Sequence, residues 1–139
     1  QLDVVLIDLP PGTGDVQLTL SQKTEVFGAI IVSTPQDVAL LDARKAINMF
    51  ERMEVPIIGM IENMSSYHCP KCGHEAHIFG HGGAQVDAKK FNLPFLGEIP
   101  LELEIREAGD GGTPVAATES KHSEAYLNLA QKLIDSKIL

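Results

Sequence analysis

The chain has 139 residues, 44% of them hydrophobic, with eleven basic against nineteen acidic side chains for a net charge of -8 at pH 7. That length fits one domain with one core, burying about two-thirds of the surface an unfolded chain exposes, and a mean hydropathy near zero fits an ordinary globular protein. The acidic balance repels phosphodiester backbones and speaks against a nucleic-acid partner; no apolar run approaches the roughly 20 residues of a spanning helix, which speaks against a membrane one.

The first residue is Gln1. An apolar run follows at once, with no basic leader or small-residue cleavage site, as expected of a sequence that starts mid-fold and not of a secreted one. Residues 2–9 (LDVVLIDL) and 27–34 (FGAIIVST) are apolar on both faces, the pattern of strands covered on both sides. Residues 57–63 (IIGMIEN), after Pro56, and 94–99 (PFLGEI), between prolines, predict two shorter strands. Between the second and third strands, Leu40, Ala43, Ile47 and Phe50 recur at helical spacing, with Asp37 placed to cap. Further helices are predicted over 83–91 and 123–137, the latter with Tyr126, Leu129, Ala130 and Leu133 on one stripe. Strands alternating with helices predict an α/β fold, a mostly parallel sheet with flanking helices, in a single domain over 1–139.

Residues 65–83 stand apart. They hold both cysteines, four of the five histidines and four glycines, with Ile78 and Phe79 as the large apolar anchors. So little burial predicts a segment ordered by something other than packing, and mobile when metal-free. Thiolates bind zinc and iron–sulfur clusters, and the two-residue spacing of Cys69-Pro-Lys-Cys72-Gly73 lets both sulfurs face one ion. Two thiols this close, without a leader, point to a reducing, cytosol-like compartment. Within one chain, Cys69, Cys72, His77 and His81 have a spacing compatible with tetrahedral zinc. His68 and His74 are expected to be solvated, and Arg106 with Glu107 to form a surface ion pair. Residues 113–117 are expected to be extended.

At the end of the first apolar run lies DLPPGTGD, Asp8 to Asp15. An Asp at a strand's carboxyl end can hold magnesium through water, and Gly12 lets a backbone N–H approach a phosphate. Taken alone, the same residues describe an Asp near a helix start and a turn that ends a strand. Together with IVSTPQD (31–37), Asn63-Met64-Ser65, the Cys69/Cys72 pair, HIFG (77–80) and GEIPLELEIRE (97–107), they form blocks in an order that resembles the Mrp/ApbC family of iron–sulfur cluster carriers. These are relatives of MinD and ParA with a P-loop NTPase fold.

The resemblance implies that Asp8 holds magnesium-bound water, that Gly12 senses the γ-phosphate, that Asn63 bonds the adenine edge, and that Pro100 and Leu101 line the base pocket. It implies weaker roles for Thr13 and Asp15. It also implies that Cys69 and Cys72 of two chains together hold a bridging 4Fe-4S cluster in a homodimer that passes it to apo iron–sulfur proteins, under ATP and magnesium, in the cytoplasm. The family's glycine-rich loop ending in Lys-Ser or Lys-Thr has no counterpart here, Gly80-His81-Gly82-Gly83 having no lysine. Weak ATP binding and little hydrolysis are therefore expected of the chain alone. A MinD/ParA-like positioning ATPase and a zinc-stabilised interaction module are the competing readings. The first is disfavoured by the mixed charges of residues 124–139, which make no basic membrane helix.

Overall fold

The computed structural model describes residues 2–136. In chain order the elements are α1 (Asp15–Lys23), β1 (Ala29–Ser33), α2 (Asp37–Arg52), β2 (Ile57–His68), β3 (Glu75–Ala76), α3 (Gly83–Lys90), β4 (Phe95–Leu101), α4 (Leu103–Asp110) and α5 (Glu124–Asp135). Among the described residues, no helix is long and apolar enough to cross a membrane.

The central strand is β2. It pairs in parallel with β1 on one edge and with β4 on the other, and its far end takes the short antiparallel β3. Since β3 and β4 both meet Tyr67, and β1 and β4 both meet Met60, β1 and β3 share one edge of β2 at different heights. Alternation along the strands sends successive side chains to opposite faces. Ile31 and Met60 join Leu40, Ala43, Ile47 and Phe50 of α2 and Ala84 and Ala88 of α3 in one core. Ile61, Leu96 and Ile99 meet Leu129 of α5, with Ile30, Tyr126 and Leu133 beside it, in the other. The α/β class, the parallel pairing and the α2 stripe are thus as expected. At the start of α3, a Cβ on Gly83 would stand 2.7 Å from Leu40 and 2.9 Å from the Pro35 carbonyl, so this helix can seat against α2 only through glycine.

Several boundaries differ from expectation. Residues 2–9 form no strand: no described strand pairs with them, and Leu2, Val5, Leu6 and Ile7 are exposed. An apolar run becomes a strand only where a neighbour accepts its hydrogen bonds. β2 runs five residues past Asn63, because β3 and the end of β4 give its extension partners. Asp37 lies inside α2 as its first residue, Gln36 standing at the cap without a side-chain bond. Residues 113–117 contain a 3-10 turn, Val115–Ala117, instead of an extended piece. Ala130 is exposed, off the buried stripe of α5, and residue 137 of that expected helix lies outside the described residues. The helix α4 was not anticipated as an element, and α1 only as a helix start after DLPPGTGD.

Candidate functional site

The extension of β2 and its pairing with β3 deliver the chain into a tight knuckle. The Cys69 N–H donates to the His74 carbonyl at 2.9 Å and the Gly73 N–H to the Cys69 carbonyl at 2.8 Å. Gly73 has φ +71, with open space where a Cβ would stand, so glycine is used here for its backbone freedom. Cys69 is half-buried, Cys72 is exposed, and neither is in a disulfide. The Lys71 N–H, then the Cys72 N–H and the Cys72 thiol, point at the Cys69 sulfur and hold its pKa below the usual thiol value, against a smaller opposing effect of burial. Such N–H donors stabilise a thiolate, the form that binds metal. The alkylation rate of Cys69 in metal-free protein is therefore expected to reach half its maximum at a lower pH than an ordinary exposed cysteine. A pH–rate profile of the Cys72→Ser variant with iodoacetamide, read against a cysteine peptide, measures this.

His77 and His81 do not join the sulfurs. Their rings stack on each other at 4.4 Å, and His77 Nδ1 meets the Ser65 carbonyl at 3.0 Å. Among the described residues, no group of three close ligand atoms includes either cysteine. This geometry presents two thiols and, among the described residues, no completing pair beside them. His68 and His74 are exposed, as expected, but His68, with its side chain 44% exposed, also has partners: Nδ1 lies 2.9 Å from Glu102 Oε1, and Nε2 3.7 Å from Glu75. Arg106 does pair at the surface with Glu107, at 3.3 Å, and more closely with Asp110, at 2.6 Å.

The other candidate residues fall into two places. Asn63 sits on β2 opposite Ile99, so Pro100 and Leu101 follow it along the neighbouring strand and all three share one end of the sheet. All three are half-buried. The Asn63 Oδ1 accepts the Met64 N–H at 2.9 Å, and Met64 takes φ +57. Asp8 and Gly12 lie on the exposed loop before α1, with Thr13 and Asp15 also exposed. Gly12 has φ +94 and nothing within 4 Å of an ideal Cβ, so its backbone is open to an approaching group. No described hydrogen bond joins this loop to Asn63 or Pro100.

Two residues escaped the sequence reading. Gln17 is 3% exposed and is the third residue of α1; its Nε2 donates back to the Pro10 and Gly12 carbonyls at 2.7 and 3.1 Å, holding the loop. The bonds run from the amide N–H₂ to loop carbonyls, so this is a clamp on the loop and not the capping-box bond that a Gln at the third helical position signals. Glu62 is 0% exposed, and its two oxygens accept the Gly82 and Ala84 N–H groups at 2.8 Å each, capping α3 from across the fold. An acidic residue within the apolar run IIGMIEN was the available signal.

A family model described as the NUBPL iron-transfer P-loop NTPase, within ParA, matches residues 1–134. The chain belongs to this family. An iron-sulfur cluster carrier protein of Haemophilus influenzae is 54% identical over 134 residues, covering 95% of this chain and 36% of that protein. The iron-sulfur cluster transfer protein NUBPL of Mus musculus is 50% identical over 136 residues, covering 96% of this chain and 43% of the relative. The chain thus spans well under half the length of these curated relatives. Among solved structures, a nucleotide-binding protein from Archaeoglobus fulgidus, in complex with ADP and with cobalt found in it, aligns with TM-score 0.69 at 39% identity over 84% of this chain and 47% of its own. The cell division ATPase MinD of Pyrococcus furiosus aligns at TM-score 0.61 and 23% identity, over 78% of this chain and 43% of that one, a likeness of fold alone. The family's P-loop NTPase architecture agrees with the sheet described above.

Proposed function

We propose that the chain carries an iron–sulfur cluster as cargo, held by Cys69 and Cys72 together with the same pair from a second copy, and passes it to apo iron–sulfur proteins. The observation that carries this reading is the knuckle: two thiols on one turn that is closed by the bonds from the Cys69 N–H to His74 and from the Gly73 N–H to Cys69, with no group of three close ligand atoms that includes either sulfur among the described residues. Four thiolates complete a cubane cluster, and a two-fold pairing of this knuckle supplies them. Carriers among the relatives support cargo transfer over resident zinc. A turn-borne pair with Cys72 exposed and Cys69 half-buried also suits release, since an acceptor's thiolates can reach the cluster from the Cys72 side.

In the same reading an adenine nucleotide and magnesium bind at the sheet's end, with Asn63, Pro100 and Leu101 against the base, Asp8 on magnesium-bound water and Gly12 against the γ-phosphate. The open backbone of Gly12 and the exposed carboxylate of Asp8 fit those groups. Phosphate-loop N–H groups and a lysine supply most triphosphate affinity, so in a protein that includes them Asp8→Asn is expected to slow magnesium-dependent hydrolysis while leaving the urea midpoint unchanged. Equal loss of both would remove the assignment.

The cargo role is tested by mixing cluster-loaded chain with an apo ferredoxin under anaerobic conditions and following the acceptor's visible circular dichroism. The expected result is stoichiometric transfer that persists with a chelator present. Transfer that the chelator abolishes would mean cluster loss to solution and would overturn the carrier reading.

A further inference from the structure

The strand pair β2–β4 is interrupted between the nucleotide-side residues and the knuckle. Asn63 pairs with Ile99 and Tyr67 with Leu101, so three residues of β2 stand against Pro100 alone. Pro100 has no N–H to give, and Met64 leaves the strand conformation at φ +57. Beyond this bulge the ladder resumes at one position, Tyr67 with Leu101, one residue before His68 and two before Cys69. There a side-chain bond adds to the backbone: His68 Nδ1 to Glu102 Oε1 at 2.9 Å, with the Glu102 side chain only 14% exposed. The opposite ring nitrogen, Nε2, faces Glu75 of β3 at 3.7 Å.

We propose that His68 and Glu102 form a positioning pair that sets the metal affinity of the Cys69–Cys72 knuckle from the end of β4. Glu102 directly follows Leu101, so its carboxylate is fixed by the same backbone that forms the proposed base-pocket wall. His68 directly precedes Cys69, so its ring fixes the direction in which β2 enters the turn. The bond ties the two strands just beyond the Asn63–Tyr67 bulge, where the ladder has resumed at a single position, and Glu75 faces the ring from the returning strand. Displacement of the β4 end is thereby carried to the sulfurs through a contact that touches neither. Partners one step removed from metal ligands typically change affinity by about 10–100-fold when removed. The proposal rests on the carrier reading only in taking the two sulfurs as metal ligands.

The test titrates the anaerobic, reduced chain with Co2+, reading the thiolate-to-cobalt charge-transfer absorption for affinity and the visible bands for geometry. Glu102→Leu and His68→Phe are each expected to weaken Co2+ binding about tenfold, with altered visible bands and an unchanged urea midpoint. The double variant is expected to be no weaker than His68→Phe, because Glu102→Leu removes a contact that His68→Phe has already removed. His68→Asn, which keeps a donor near the Nδ1 position, is expected to recover most of the affinity. Wild-type affinity in Glu102→Leu, or additive losses in the double variant, would overturn the pair while leaving the carrier reading standing. A wild-type chain that shows no thiolate–cobalt absorption would overturn the carrier reading, and the pair with it.

Discussion

Glu62→Ala is expected to destabilise the fold by about 3 kcal/mol, since it strips a fully buried carboxylate from two N–H groups that have no other described partner. The N-cap of α3 is Gly82, which has no side chain to take over. A second contribution is the space left beside the core residue Ala84. Glu62→Gln keeps one acceptor and sets an amide N–H₂ against the second N–H, so an intermediate loss is expected. Urea unfolding of the three proteins, with the slope held constant, measures the difference. A loss below about 0.5 kcal/mol in Glu62→Ala would mean that water reaches the helix end and caps it as well.

The second large effect concerns the knuckle. Cys69→Ser and Cys72→Ser are each expected to abolish stable cluster binding, because either leaves two thiolates across a pair of chains where four are needed. Iron and sulfide should fall to background after desalting, and cluster-dependent pairing should go with them. Fold stability should change little, since Cys72 is exposed and Cys69 only half-buried. A Cys72→Ser chain that keeps its iron at the wild-type ratio would remove Cys72 from the ligand set.

Much of this architecture was legible because the relevant signals are local. The α2 stripe of Leu40, Ala43, Ile47 and Phe50 is buried as its spacing requires. Strands β1 and β4 lie where apolar runs and prolines put them, and the CPKCG turn is a knuckle with Gly73 at positive φ. What failed depended on partners distant in sequence. The run at residues 2–9 is as apolar as β1, yet strand formation needs a neighbour's hydrogen bonds, and none is present among the described strands. The length of β2 depended on β3, a two-residue strand too short to leave a periodic trace. His68 is exposed as expected, but its bond to Glu102 left no local trace, because that partner lies 34 positions away. Glu62 was hidden in the same way, twenty residues before the helix it caps. The family resemblance supplied the roles of Asp8, Gly12, Asn63, Pro100 and Leu101, which spacing by itself left equally open to turn and cap functions.

The central claim, that two copies share one cluster through Cys69 and Cys72, is tested most directly by anaerobic reconstitution with iron and sulfide. Size-exclusion chromatography with light scattering would then be combined with iron, sulfide and zinc analysis of the same peak. The account predicts a brown species with the mass of two chains, one four-iron cluster per pair and no stoichiometric zinc. A colourless species with the mass of one chain, holding one zinc per chain and excluding iron, would contradict it.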